Sequence, residues 1–184
     1  MDIILHEEKL ERNEKYLREV EDFYCGPEQD TLEIYLKGKV FDDIKENKQI
    51  TYLIKDEDNH IIGYYSLKAN AINYVYENKK EVNPFIELSE FAINFNYQRK
   101  GYGTAVMLNY IFKKIETISS IIGCQGIMLF ALDENAQAFY NKLGFESTIA
   151  DDIITLQDSF SKGCKLMVIS LETIINHNKG DNTR

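Results

Sequence analysis

The 184-residue chain has only two prolines, Pro27 and Pro84, and no Gly-, Pro- or Ser-rich stretch, so no linker between domains is expected. It has no internal repeat and no low-complexity segment, which argues against a fibrous or disordered protein. No run of about 18 uncharged apolar residues occurs, which rules out a transmembrane helix. The start, MDIILHEEKLER, has an acidic residue at position 2 and a very short apolar stretch, and does not read as a secretory signal. Cysteine is scarce: Cys25, Cys124 and Cys164 are odd in number and widely spaced, forming neither a disulfide framework nor a CxxC metal site. A reducing cytoplasm fits that usage. Basic charge is also short, with 21 Lys and Arg against 30 Asp and Glu, a net charge of −9. The deficit is uneven. Residues 1–60 hold nine basic and seventeen acidic residues, net −8, and the remainder only −1. Such a surface repels a phosphate-rich partner and attracts a cationic one, although acidity also serves solubility alone.

What is present suits an ordinary globular protein: 44% apolar and 28% charged residues, enough for one domain over residues 1–175 with a frayed tail at 176–184. Residues 2–5 read as a short strand. Residues 7–20, with Leu10, Leu17 and Val20 among many charges, read as a surface helix. A turn at Cys25-Gly26-Pro27 precedes a second helix, with Thr31 as its N-cap and Leu32, Tyr35, Leu36 and Val40 as its apolar positions. ITYLIKDEDNHIIGYYSL reads as a β-hairpin turning at Glu57-Asp58-Asn59. Residues 70–84 look like a connection, and Ile86 to Asn94 like a strand with one buried face.

Beyond that strand, a helix carries the stripe Leu108, Ile111, Phe112, Ile115, Ile118 and ends at Gly123 and Gly126. GIMLFA, from Gly126 to Ala131, reads as a strand buried on both faces. Asp133 or its neighbour caps a further helix through Leu143, which Gly144 closes in the left-handed conformation. Residues 147–163 are irregular and acidic, and Lys165 to Leu171 form a last strand. The order describes a mixed α/β sheet with helices on its faces.

The most specific feature is the junction Asn96-Tyr97-Gln98-Arg99-Lys100-Gly101-Tyr102-Gly103-Thr104 between strand and helix. The first turn of a helix has unpaired N–H groups and a partial positive charge, so it can hold an anion. Glycines 101 and 103 let the main chain approach a phosphate, and Arg99 and Lys100 add positive charge. Position 106 is valine, so this is not the GxGxxG dinucleotide fingerprint, and no GK[ST] follows as in a Walker loop. Two glycines before a helix also serve as a plain turn.

QRKGYG, followed after one strand by N-x-x-A-F-Y-x-x-L-G-F from Asn135 to Phe145, resembles the GNAT superfamily of acetyl-CoA-dependent N-acetyltransferases. The resemblance is strong over residues 86–145. It implies a central mixed sheet in which two neighbouring parallel strands, 86–94 and 126–131, splay into a cofactor cleft, with helices on both faces. It implies acetyl-CoA as cosubstrate, with main chain near Ala92 and Ile93 pairing with the pantetheine arm. Gln98, Arg99, Lys100, Gly101, Tyr102, Gly103 and Thr104 then surround the pyrophosphate, Asn135 contacts the cofactor, and Tyr140 is the general acid. A tyrosine can protonate a departing thiolate; the alternative reading is a core aromatic at a helix end.

Acetyl transfer also needs a base to take the amine's proton. Glu87 and Glu90 lie on the cofactor strand, three residues apart and so on opposite faces, which leaves at most one toward the cleft. Each is equally well read as a plain strand carboxylate, and water can serve instead; Ser89 and Tyr97 are lesser candidates. His6, His60 and His177 receive no role, Cys124 is read as a small buried residue, and no metal is expected. With no cysteine–histidine pair in the inferred site, transfer is expected by direct attack in a ternary complex.

The acidic first third predicts a cationic primary amine as acceptor, on a small molecule or a protein. FYCG at 23–26, Leu32, Tyr35-Leu36, GYYSL and ALDENAQAFYNKLGF also resemble the toxin branch of the family, which acetylates aminoacyl-tRNA. The net charge disfavours tRNA, because neutralising phosphates dominates such affinity. A chain that binds acetyl-CoA without catalysis is a third reading. No DNA or membrane partner is expected, and the resemblance leaves a homodimer open.

Overall fold

The computed structural model describes residues 4–27, 30–76, 79–147 and 163–181. A seven-stranded sheet has the order β1-β2-β3-β4-β5-β7-β6. Its strands are β1 (His6–Lys9), β2 (Ile50–Lys55), β3 (Ile61–Tyr76), β4 (Lys79–Ile93), β5 (Gly126–Ala131), β6 (Glu146–Ser147) and β7 (Lys165–Ser170). The helices are α1 (Glu14–Glu19), α2 (Asp30–Ile34), α3 (Val40–Lys45), α4 (Tyr102–Val106), α5 (Phe112–Ile121), α6 (Glu134–Lys142) and α7 (Leu171–Asp181). The mixed α/β fold expected from the sequence is present. β4 and β5 pair in parallel at Ile86↔Ile127 and Glu87↔Met128, and β1–β2, β2–β3, β5–β7 and β6–β7 pair antiparallel.

The chain divides into two compact units, Met1–Lys68 with Leu88–Met107, and Ala69–Glu87 with Leu108–Arg184. The first holds a core of Leu10, Val20, Phe23, Leu36, Leu53, Tyr64 and their neighbours. Tyr64 packs edge-on against Phe23 at 5.5 Å and stacks with Tyr35 at 6.4 Å, and its hydroxyl donates to Leu32 O at 2.7 Å. The four apolar positions read for the second helix, Leu32, Tyr35, Leu36 and Val40, are all buried there. The second unit is built on Ile72, Phe85, Met128 and Leu166.

Several local expectations give way. The first strand is His6–Lys9 rather than 2–5, of which residues 1–3 lie outside the described residues. Helix α1 begins only after Asn13, whose side chain accepts from the Tyr16 amide, so buried Leu10 precedes the helix. α2 starts at Asp30, which puts Thr31 inside the first turn instead of at the cap. Residues 70–84 are mostly strand, because β3 and β4 extend far beyond the apolar stretches that announced them. Their polar residues fit strands with a solvated face, a pattern that reads like loop.

The segment 176–181, expected to fray, continues α7: Ile174 is buried, and Asn178 donates to Glu116 at 2.6 Å. A His177 ring nitrogen lies 3.2 Å from Leu143 O. These are tertiary anchors that no local pattern signals. The irregular segment expected at 147–163 falls mostly on residues outside those described.

Candidate functional site

The first unit carries the strand-to-helix junction. β4 ends at Ile93, Phe95–Tyr97 form a 3₁₀ turn, and α4 begins at Tyr102 with Gly101 in the left-handed region at φ 88°. The first helical bond runs from the Ala105 amide to Gly101 O at 3.0 Å, so the amides of Tyr102, Gly103 and Thr104 come before it. Helix starts leave such N–H groups without an intrahelical acceptor, and they favour an anion. The helix continues from α4 through a π turn, Met107–Ile111, into α5.

Gln98 sets the loop's shape. Its side-chain nitrogen donates to Cys25 O at 2.7 Å and to Ile93 O at 2.8 Å, so this amide group holds the 23–27 turn to the end of β4. Arg99 is exposed and takes φ 58°, an uncommon value for a residue with a Cβ. Lys100, also exposed, donates to Asn96 O at 2.7 Å, and its Nζ lies 5.9 Å from the Tyr97 ring centre. Tyr97 meets Tyr102 edge-on at 5.6 Å.

Ala92 is buried and Ile93 partly so. Both lie hard against β3: a Cβ built on Gly63 would come within 2.6 Å of Ala92 O and 2.8 Å of the Ile93 side chain. Glu90 is half-buried on the same stretch. Burial raises the pKa of the Tyr35 and Tyr64 phenols, and the Glu90 charge raises both further. Tyr35 hydrogen-bonds to Gln49, whose Nε2 also donates to Asp43 at 3.2 Å; Ser89 donates to Gln49 Oε1 at 2.6 Å. This buried polar group escaped the sequence reading, since Gln49 and Asp43 belong to no motif.

The second unit carries Glu87, Asn135 and Tyr140. Glu87 is buried and accepts from Asn70 Nδ2 at 2.5 Å, a partner that the sequence does not announce. Asp133 caps α6 as expected, accepting from the Ala136 amide at 2.7 Å, and Gly144 closes the helix at φ 90°. Asn135 is exposed in the first turn.

Tyr140 is 9% exposed, with Phe139 and Phe145 edge-on at 5.1 and 5.4 Å. Among the described residues, no group hydrogen-bonds its hydroxyl. Burial alone pushes its pKa up, so the phenol keeps its proton at neutral pH. A buried hydroxyl that no described residue engages is uncommon and is open to a ligand, water or another part of the chain.

Cys25 is buried, and burial with the nearby Glu33 charge pushes its thiol up to about 11; burial also raises Cys124. Neither supplies a thiolate at neutral pH. Among the described residues, no group of three or more His, Cys, Asp or Glu could hold a metal ion, and no helix is long and apolar enough to cross a membrane.

The family model described as acetyltransferase (GNAT) family matches residues 13–145. A tRNA-acetylating toxin of Mycobacterium tuberculosis is 28% identical over 102 residues, which are 52% of this chain and 61% of the relative. The chain therefore matches about three fifths of that relative's length. The solved structure of AtaT complexed with acetyl-methionyl-tRNAfMet superposes with a TM-score of 0.72 at 19% identity, covering 94% of this chain and 98% of the other. A mutant AtaT toxin bound to acetyl-CoA and the C-terminus of the antitoxin AtaR gives 0.71 at 20% identity, covering 93% and 96%. At such identities the two structures share the fold.

Proposed function

We infer that this chain, which belongs to the acetyltransferase (GNAT) family, moves an acetyl group from acetyl-CoA to the amino group of an aminoacyl-tRNA. The observation that carries the catalytic part is the buried Tyr140 hydroxyl, which no described residue engages. The tRNA part is supported by the toxin relative that matches over 102 residues and by the AtaT complex that shares the fold. An antitoxin-type protein partner belongs to the same reading.

The amine nitrogen attacks the thioester carbonyl carbon, and the resulting oxyanion needs a backbone N–H donor, an interaction typically worth about 2.7–4 kcal/mol. The C–S bond then breaks and the thiolate takes the proton of Tyr140. Burial raises a phenol and a thiol alike, so the two remain matched for that transfer. The amine's own proton passes to Glu87 or Glu90 on β4, or to water. The amides of Tyr102, Gly103 and Thr104, with Arg99 and Lys100, hold the pyrophosphate, and the Ala92–Ile93 main chain pairs with the pantetheine arm.

A cationic small-molecule or protein amine is the second reading. It rests on the net charge of −8 in residues 1–60. Net charge sums the whole surface, whereas a tRNA is held by a local patch, so overall acidity alone does not decide between the two.

The deciding experiment measures thiol release from acetyl-CoA with charged tRNAs, polyamines, aminoglycosides, amino acids and lysine peptides, with Tyr140→Phe as control. Turnover on charged tRNA, with affinity that falls steeply with salt, is the expected result. Turnover on a cationic amine alone overturns the tRNA assignment and supports the second reading.

A further inference from the structure

Helix α6 closes on Tyr140 itself. The Phe145 amide donates to Tyr140 O at 3.1 Å and the Gly144 amide to Asn141 O at 3.1 Å, with Gly144 at φ 90°. These two bonds make a Schellman closure, in which the residue after the glycine turns back onto the last turn of the helix. The Phe145 ring is thereby brought edge-on to the phenol at 5.4 Å. Helix ends leave carbonyls without an intrahelical partner, and Leu143 O at the cap is one of these. Its donor comes from 34 positions away on α7, where His177 Nε2 lies 3.2 Å from it. A carbonyl oxygen only accepts, so Nε2 carries the proton. The same imidazole stands 5.5 Å from the Phe112 ring, and Phe112 stands 6.4 Å from Phe145.

α7 is itself anchored. Ser170 Oγ accepts from the Thr173 amide at 3.1 Å, Ile174 is fully buried, and Asn178 donates to Glu116 at 2.6 Å. A Cβ built on Gly144 would meet Thr173 Cγ2 at 3.3 Å, so α7 lies directly against the closing turn. The family match ends at residue 145, which puts α7 beyond it.

We propose that His177 is a positioning residue for Tyr140, holding the closing turn of α6 through Leu143 O and backing the Phe145 ring through Phe112. No described residue hydrogen-bonds the Tyr140 hydroxyl, so among the described residues only the backbone and the neighbouring rings orient the phenol. An acid must meet its leaving group within a narrow range of geometry, and a misplacement of about 1 Å can cost about 100-fold in rate. The proposal deepens the acetyl-transfer reading and rests on it for the role of Tyr140 as acid.

Two amide variants of similar polarity test it. In His177→Gln the side-chain nitrogen reaches about as far as Nε2 and can still donate to Leu143 O, whereas His177→Asn is too short. His177→Asn should lower kcat about 10- to 100-fold with the KM for acetyl-CoA unchanged, and His177→Gln should recover most of the loss. In a Tyr140→Phe background, His177→Asn should cost nothing further. Fluorotyrosine placed at position 140 reads the phenol without any acceptor. Its fluorine NMR line should broaden or split in His177→Asn and stay native in His177→Gln. A native line in His177→Asn overturns the proposal, as does a kcat loss that is equally large in the Tyr140→Phe background. If the line changes while Tyr140→Phe turns over at the native rate, the positioning stands and the acid role of Tyr140 fails instead.

Discussion

Lys55 Nζ, 1% exposed, lies 2.7 Å from Glu19 Oε2, and the same ammonium is hydrogen-bonded to Glu8. Tyr16 donates its hydroxyl to Glu8 at 2.7 Å, and Lys15 approaches it at 2.9 Å. One buried cation thus ties β1 and α1 to β2. Burial opposes the Glu8 charge, but the donors Lys55, Tyr16 and Lys15 outweigh it and bring its pKa down to about 2.

A carboxylate lowered on folding stabilises fully above its unfolded value, and that contribution disappears as pH falls through the folded one. Stability should therefore drop between about pH 4.5 and 2, and Glu8→Gln should flatten the drop, as read from denaturant midpoints across that range. Parallel profiles for the two proteins would refute the assignment. Lys55→Met should cost about 2–3 kcal/mol, less than a fully buried pair because both carboxylates keep some contact with water.

Tyr140→Phe removes a hydroxyl that no described protein group binds. Thermal stability should change by less than about 0.5 kcal/mol, since no hydrogen bond to a described residue is broken. Turnover should fall about 10²- to 10⁴-fold with acetyl-CoA affinity unchanged. The comparison of kcat with cofactor affinity checks this, and unaltered kcat at neutral and high pH would exclude Tyr140 as the acid.

Arg99 and Gly101 both occupy positive φ, at 58° and 88°, but only one is a glycine. Gly101→Ala should cost about 1 kcal/mol from backbone conformation alone, because its Cβ would meet nothing within 4 Å. Cofactor affinity should fall with it as the cradle shifts. Arg99→Gly should relieve strain and slightly raise stability, yet weaken coenzyme A binding through the lost charge. Opposite signs for stability and affinity in Arg99→Gly, measured by calorimetry and melting, distinguish the two effects.

Gly63→Ala would bring a methyl group to 2.6 Å from Ala92 O, in the strand segment assigned to the pantetheine arm. The KM for acetyl-CoA should rise and the melting temperature should fall together. Gly38→Ala, where nothing lies within 4 Å of the new Cβ, should instead stabilise by about 0.5–1 kcal/mol and leave KM alone. Equal effects at both positions would refute the close approach as the cause.

Where a feature depends on a few adjacent residues, the sequence shows it. GIMLFA is β5 from first residue to last, Asp133 caps α6, Gly144 closes it, and Gly101 turns left-handed ahead of α4. Each follows from local backbone geometry or an unbroken apolar run, so a short window suffices. The loop from Gln98 to Thr104 was legible for the same reason, as was Tyr140 as a candidate once the motif around it was seen.

Partnership across the chain was not legible. Gln98 could be named as a cofactor-loop residue, but not as the clamp that reaches back 73 positions to Cys25. Nothing local distinguishes Lys55 from the other lysines or foretells that α7 holds Asn178 against Glu116. A side chain's environment depends on which distant segments the fold brings against it. The sequence by itself determined the family, the order of most elements and the positions able to turn or cap. Only the tertiary structure decided which polar groups are buried, which find a partner, and that the Tyr140 hydroxyl finds none among the described residues, because desolvation and pairing arise only once separated segments pack together.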